Sequence, residues 1–168
     1  MISTLLVAHP WLSPAALAVL VAGGLALGPW LVARRRAAWA LCAASLVPVL
    51  LLTMVPVDRE LFARCTVGWS LPTPGRVELL ANVVLFVAPV FLAGVALRRP
   101  LLAFAGGTVV SALVELVQAL VPALGRSCDT DDWLSNTIGA ALGAGLAWVA
   151  VVRWRRSQGR WTGTNPDS

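Results

Sequence analysis

Five apolar stretches follow one another along the chain, and each carries no more than one ionisable side chain. They cover residues 14–33, 37–57, 77–97, 100–121 and 133–152. A helix of about 20 residues rises roughly 30 Å, which is the thickness of the hydrocarbon core of a bilayer. Polar and apolar residues do not alternate at strand spacing, which excludes a closed barrel. The pattern predicts an all-α membrane protein with five transmembrane helices.

The charged residues predict how these helices are oriented. All 13 basic residues are arginines, and most of them follow every second apolar segment or lie in the tail. The bias of positive charge towards the cytoplasm therefore predicts an external N-terminus and a cytoplasmic C-terminus. Seven of the eight acidic residues, all except Asp167, lie in the outer loops or the outer half of a helix. The net charge of +5 is thus a topology signal, and it does not indicate nucleic-acid binding.

The short connections leave no room for a soluble domain in 168 residues. We therefore expect one membrane domain over residues 1–156, with the lipid bilayer as its constant partner. Residues 157–168 are polar and contain Gly, Pro and Ser, which predicts a disordered cytoplasmic tail.

Two of the three cysteines lie in predicted external loops. Cys65 follows the second segment and Cys128 precedes the fifth. An oxidising compartment favours a disulfide between them, and the chain-entropy model gives it roughly 4 kcal/mol. Two free thiols are the alternative, because the sequence does not show whether the two loops meet.

Polar side chains inside the apolar segments share helix faces. Glu78 and Asn82 are spaced i and i+4 in the third segment, and Ser111, Glu115 and Gln118 share one face of the fourth. These residues therefore recur at helical spacing.

The depths of these residues predict that three helices contribute to one polar cluster. Asn82, Glu115 and Asn136 lie about 8, 9 and 5 Å below the outer ends of their segments. A carboxylate at the depth of Glu115 must be protonated, paired or reached by water. We expect Arg126 or Arg76, just outside the membrane, to be its partner. The alternative is that the amides and Ser111 only hydrogen-bond the helices to one another.

Three aspartates precede or open the fifth segment. Asp129, Asp131 and Asp132 are weak candidates for a divalent cation site. We favour Asp132 as the N-cap of the fifth helix, and we expect no metal or other cofactor.

Three motifs resemble those of the VanZ-like family of bacterial integral membrane proteins. They read Asn82-Val-Val-Leu-Phe-Val-Ala-Pro89, Ser111-Ala-Leu-Val-Glu115-Leu-Val-Gln118 and Arg126-Ser-Cys-Asp-Thr-Asp-Asp132-Trp-Leu-Ser-Asn136-Thr-Ile-Gly139. The resemblance spans about residues 78–152, whereas the first two segments carry no recognised motif. Glu78 stands where an aspartate is frequent in the family, which keeps a carboxylate there.

The resemblance implies a multi-pass protein of the bacterial cytoplasmic membrane, from a family associated with resistance to teicoplanin. Its motif residues coincide with the polar cluster found from depth and spacing. The predicted site residues are Glu78, Asn82, Glu115, Gln118, Arg126, Asp132 and Asn136.

Two classes of function fit such an outward-facing site. In the first, it binds a lipid head group or a cell-wall precursor, with Arg126 meeting an anionic group. In the second, Glu115 and Asp132 perform acid or base chemistry on a lipid-linked substrate. Proton-linked or lipid transport is a third possibility, but no inverted repeat is visible. The sequence does not reveal the ligand or the oligomeric state.

Overall fold

The computed structural model describes residues 8–58, 64–73 and 75–161, with the side chains of residues 160 and 161 excepted. Five helices within these ranges are long and apolar enough to cross a membrane. They are α1 (Leu12–Ala33), α2 (Arg35–Met54), α3 (Val77–Leu97), α4 (Pro100–Leu120) and α5 (Thr130–Trp161). Two short strands, β1 (Cys65–Thr66) and β2 (Cys128–Asp129), and a 3₁₀ turn (Pro122–Leu124) complete the order. The predicted all-α bundle with five spans is confirmed.

The observed bounds differ from the prediction most at α5. This helix begins three residues before the predicted span and continues to Trp161. Span prediction counts apolar residues, but arginine is a good helix former and lets a helix continue beyond the apolar segment. The helix therefore includes residues 157–161 of the predicted tail. Residues 162–168 of that tail lie outside the described residues.

The N-cap of α5 is Asp129, and the expectation that Asp132 has this role is wrong. The Asp129 carboxylate accepts a hydrogen bond from the backbone N–H of Asp131 at 2.8 Å, which is the geometry of an N-cap. The reason is that β2 ends at Asp129, so the chain leaves its extended conformation there. Asp131 and Asp132 lie in the first turn, where the helix dipole favours negative charge.

Helices α3 and α5 form the centre of the bundle, and the other three pack around them. A Cβ atom at Gly139 would collide with the carbonyl oxygen of Val83, and one at Gly143 would press on that of Val87. Glycine at these two positions lets the backbones of α3 and α5 approach closely. The pair of helices is therefore held in one register along their contact.

The two ends of the bundle carry opposite charge. We call one the arginine end, which comprises the turns at Arg34 and at Arg98–Arg99 and the last turns of α5. It is drawn together by hydrogen bonds from Arg98 to the carbonyl of Val32 and from Arg153 to that of Leu25. We call the other the acidic end, which carries Glu78, Glu115, Asp129, Asp131 and Asp132.

Candidate functional site

Two loops are joined at the acidic end. Strands β1 and β2 pair in parallel with Cys65 opposite Cys128, and these two residues form a disulfide. The backbone N–H of Cys128 also donates to the carbonyl of Arg64 at 3.0 Å. The loop after α2 is therefore attached to the start of α5.

Side chains of the first turn of α5 hold the same loop farther along. The Thr130 hydroxyl accepts a hydrogen bond from the N–H of Gly68 at 2.8 Å and donates to its carbonyl at 2.6 Å. The Asp131 carboxylate accepts a hydrogen bond from the N–H of Ser70 at 2.7 Å. Its other oxygen lies 3.7 Å from the guanidinium of Arg76. Residues 64–70 thus form a fixed cover beside the first turn of α5.

Asp132 links α5 to α3. Its carboxylate accepts a hydrogen bond from the Asn82 amide at 2.6 Å, and the carboxylate is partly buried. Glu78, one turn before Asn82, is exposed and close enough to Asp132 to repel its charge. Asp129 and Asp131 repel it as well. Within the described parts of the chain, Asp132 therefore has a hydrogen-bond donor but no cation as its partner.

Glu115 lies on α4 and contacts the residue that precedes α5. Its carboxylate accepts a hydrogen bond from the backbone N–H of Asp129 at 2.7 Å. The expected ion pair with Arg126 or Arg76 is wrong, because Arg126 donates to the carbonyl of Val55 at 3.4 Å and Arg76 pairs with Asp131. A backbone donor has the advantage that no long side chain needs to be ordered.

Asn136 extends the polar group deeper into the bundle. It lies one turn beyond Asp132 on α5, and only 3% of its surface is exposed. Its amide nitrogen donates to the hydroxyl of Ser111 on α4 at 2.9 Å. Its amide oxygen is buried and has no donor among the described residues, and the hydroxyl of the neighbouring Ser135 has no partner among them either. A buried acceptor without a donor costs about 1–3 kcal/mol unless water or a bound molecule supplies the hydrogen bond.

The depths of the three helix residues agree better than the sequence predicted. Because α5 begins at Thr130, Asn136 lies about 9 Å from the helix start, close to the values for Asn82 and Glu115. Contacts through Asp132, Asp129 and Ser111 bring all three residues into one polar group.

Gln118 and Arg126 are directed elsewhere. Gln118 is buried and donates to the carbonyl of Thr53 at 3.1 Å, near the end of α2, and Arg126 donates two residues farther on, to Val55. Both therefore tie α4 and the following loop to α2. Sequence reasoning missed Thr130 and Gly68. The hydroxyl of Thr130 between three aspartates was a usable signal for a helix start, but nothing marked Gly68.

Comparison with known protein families identifies one family that this chain matches. The model of the VanZ/LLP1 family matches residues 31–152, which is more than half of the chain. The chain belongs to the VanZ/LLP1 family. The match also includes α2, which carried no recognised motif. No curated protein and no solved structure matches the chain.

The three aspartates considered as metal ligands in this VanZ family protein have other contacts. Asp129 caps α5, Asp131 holds the loop and Asp132 binds Asn82. Across residues 8–58, 64–73 and 75–161, no three side chains of the metal-binding types are grouped so that they could hold an ion.

The chemistry of the acidic end follows from its charges. The five carboxylates that define this end form one ion pair among the described residues, the long contact of Asp131 with Arg76. Carboxylates accept up to about four hydrogen bonds each, so most of their acceptor capacity is unused. This end of the VanZ family protein is therefore suited to a ligand that donates hydrogen bonds.

Proposed function

We propose that this VanZ family protein binds a cell-envelope component through its acidic end. The ligand class is a lipid head group or a lipid-linked cell-wall precursor whose hydroxyl or amine groups donate hydrogen bonds. The observation that carries the proposal is the buried amide oxygen of Asn136, which has no donor among the described residues and lies one turn from Asp132. A hydroxyl or amine of the ligand would supply the missing hydrogen bond.

The charges favour a ligand with many donors over one that is mainly anionic. Asp132 and Glu115 have hydrogen-bond donors, but neither pairs with a cation of the described ranges. A second anion placed between them would be repelled, whereas a sugar or an amine would be attracted. The hydrogen bond of Arg126 is long, at 3.4 Å. We therefore assign Arg126 to the rim, where it can turn towards a phosphate of the same ligand.

The positive-inside bias supports an acidic end that faces the outside of the cell. A site there would meet envelope precursors in the outer leaflet. Resemblance to VanZ-like proteins associates the family with teicoplanin resistance. We propose that binding a cell-wall precursor is how this protein would alter susceptibility to teicoplanin.

Lipid analysis of the purified protein tests the site directly. Wild type, Asp132→Asn and Asn136→Ala are expressed in a bacterium, purified in a mild detergent, and the lipids that remain bound are quantified by mass spectrometry. Asp58→Asn is the matched control, because Asp58 is an exposed acid near the same end and its side chain has no hydrogen bond or ion pair with the described residues. We expect one envelope lipid to fall at least about tenfold in both site variants and to be unchanged in the control.

Two results would contradict the proposal. One is the same lipid profile in all four proteins at equal yield. The other is a loss in Asp58→Asn as large as in Asp132→Asn. The same variants expressed in the native host should change teicoplanin susceptibility in the same order, with membrane abundance measured by immunoblot.

Acid or base chemistry is a second candidate, favoured by the closeness of Glu115 and Asp132. These two carboxylates lie on facing helices and are near enough to repel each other. Incubation of the protein with lipid-linked precursor distinguishes the two functions. A new lipid species formed by wild type and not by Glu115→Gln supports an enzyme, and a precursor that is retained unchanged supports binding.

A further inference from the structure

A cavity of about 420 Å³ lies at the arginine end, far from the acidic end along α5. It is formed between the turn that joins α3 to α4 and the last part of α5. Its lining residues are Arg98, Arg99, Pro100, Leu101, Leu102, Trp148, Val151, Val152 and Arg155. A volume of this size is typical of sites for small ligands.

Two of the three arginines around the cavity have no partner in the described part of the chain. Arg98 donates to the carbonyl of Val32, and its guanidinium lies 4.2 Å from the ring centre of Trp154. Arg99 and Arg155 are exposed, and neither side chain has a hydrogen bond or an ion pair within the described ranges. The only acidic residue of the sequence that follows α5 is Asp167, outside the described residues. Within the described ranges no acidic side chain pairs with either guanidinium, so both can bind an anionic group of another molecule.

The rest of the cavity is apolar and open to the membrane. Leu101 is 69% exposed and Trp148 is 54% exposed, and both lie within apolar spans. Trp148 precedes Arg155 by seven residues, which places its backbone about 10 Å deeper along α5. The cavity thus has a cationic rim at the membrane surface and an apolar floor below it.

We propose that this cavity binds an anionic phospholipid of the leaflet at the arginine end. Arg99 and Arg155 hold the phosphate, and the upper part of an acyl chain lies against Trp148 and Leu101. A guanidinium suits this role because its planar donors can bind two phosphate oxygens at once. Basic cavities between transmembrane helices are known sites for such head groups.

A soluble phosphate compound fits the cavity less well than a lipid. Free phosphate would use the two arginines but would leave the apolar floor facing the bilayer. An acyl chain covers that floor, and its position next to the head group is fixed by the lipid itself. The arrangement of rim and floor therefore matches one molecule that has both parts.

Native mass spectrometry of the delipidated full-length protein tests this proposal. The protein is titrated with phosphatidylglycerol, with phosphatidylcholine and with glycerol phosphate as the soluble head group. Wild type should bind phosphatidylglycerol at least about tenfold more tightly than either of the others. Binding of glycerol phosphate with the affinity of the lipid would overturn the proposal, because the site would then be a site for soluble anions.

Charge-matched variants separate the cavity from general surface charge. Arg99→Gln with Arg155→Gln should weaken phosphatidylglycerol binding about tenfold or more. Arg35→Gln with Arg36→Gln removes the same charge from exposed positions at the same end, and we expect a change of no more than about twofold. Equal losses in the two double variants, or no loss in the first, would overturn the proposal.

A third variant examines the apolar floor. Trp148→Ala should weaken binding of phosphatidylglycerol severalfold and leave the weak binding of glycerol phosphate unchanged. Because all substituted residues are exposed, each variant should keep the thermal unfolding midpoint of wild type, which is measured on the same samples. An unchanged affinity of Trp148→Ala for the lipid would contradict the assignment of the acyl chain to this floor.

Discussion

The arginine end and the acidic end of the bundle differ in the residues that are buried inside them. At the arginine end the charges point outward from an apolar interior. The buried residues of that interior are Leu31, Val32, Ala38, Phe91, Val95, Ala147 and Ala150. At the acidic end polar groups lie inside the bundle itself. The buried polar residues of the described chain are Ser13, Thr53, Ser111, Gln118, Ser135 and Asn136.

This difference separates what the charges at each end do. Apolar packing and the hydrogen bonds of Arg98 and Arg153 hold the arginine end together, so its other arginines are available for membrane orientation and for lipid phosphate. Polar groups buried at the acidic end lower the apolar contribution to stability there. That end relies on a disulfide and on hydrogen bonds between loop and helix. Such an arrangement is expected where binding matters more than stability.

Loss of the disulfide should have the largest effect, and it should affect the acidic end first. Cys65→Ala with Cys128→Ala removes a link across 63 residues, for which the chain-entropy model gives about 4 kcal/mol in the free energy of unfolding. Thermal unfolding in detergent measures the loss. Cys42→Ala is the control for removing a cysteine, and its cost should be about 1 kcal/mol. The affinity for phosphatidylglycerol at the arginine end should not change. If its binding free energy fell by as much as the free energy of unfolding, the two ends would not be independent.

The contact between α3 and α5 joins the two ends, so a change there should affect both. Gly139→Ala places a methyl group against the carbonyl oxygen of Val83. A backbone carbonyl cannot rotate away, so we expect a loss of about 3 kcal/mol and weaker lipid binding at both ends. Gly145→Ala is the control, because a Cβ there has no neighbour within 4 Å. Equal unfolding midpoints in the two variants would show that this contact is looser than the structure has it.

The sequence predicted the helices well where apolar runs end at charged residues. Helix α3 has the predicted bounds because Arg76 and Arg98 directly flank its apolar run. The ends of α5 could not be predicted in this way, because helical backbone continues through polar residues at both ends. Hydropathy predicts which part of a helix lies in the membrane. The position at which a helix begins depends instead on the hydrogen bonds of its first backbone groups.

The sequence predicted which residues form the candidate site better than it predicted their hydrogen-bond partners. Spacing and depth predicted that Asn82, Glu115 and Asn136 lie at similar depths in the bundle. Their partners include backbone groups, and a sequence pattern does not show which N–H faces a carboxylate. For this reason the expected arginine partner of Glu115 was wrong. The hydrogen bonds of Gln118 and Arg126 to α2 could not be predicted either, since any exposed carbonyl is an equivalent acceptor.

The hydroxyl of Thr130 should contribute to holding residues 64–70, the fixed cover, in place. Thr130→Val removes both hydrogen bonds to Gly68 and leaves its N–H and carbonyl without that partner. We expect a loss of about 1–2 kcal/mol and faster amide hydrogen exchange in residues 64–70. Thr137→Val is the matched control on the same helix, because the buried Thr137 hydroxyl has no partner. Exchange in the loop that is equally fast in both variants would show that the disulfide and the other hydrogen bonds hold the cover without Thr130.

The variant with the smallest expected change in stability, a double substitution of Ser111 and Asn136, should show a large change in binding. Ser111→Ala leaves the amide of Asn136 without its acceptor and should cost about 1–2 kcal/mol. Asn136→Leu in the same chain removes the whole polar pair, so the double variant should unfold within about 1 kcal/mol of wild type. Its retention of the envelope lipid should nevertheless fall about tenfold, while phosphatidylglycerol binding at the arginine end stays within twofold. If the double variant is much less stable than wild type, the role of Asn136 is to hold the helices together. If the double variant retains the envelope lipid as wild type does, Asn136 is not part of the site. A stable double variant that has lost only the envelope lipid would show that the polar interior of the acidic end serves binding.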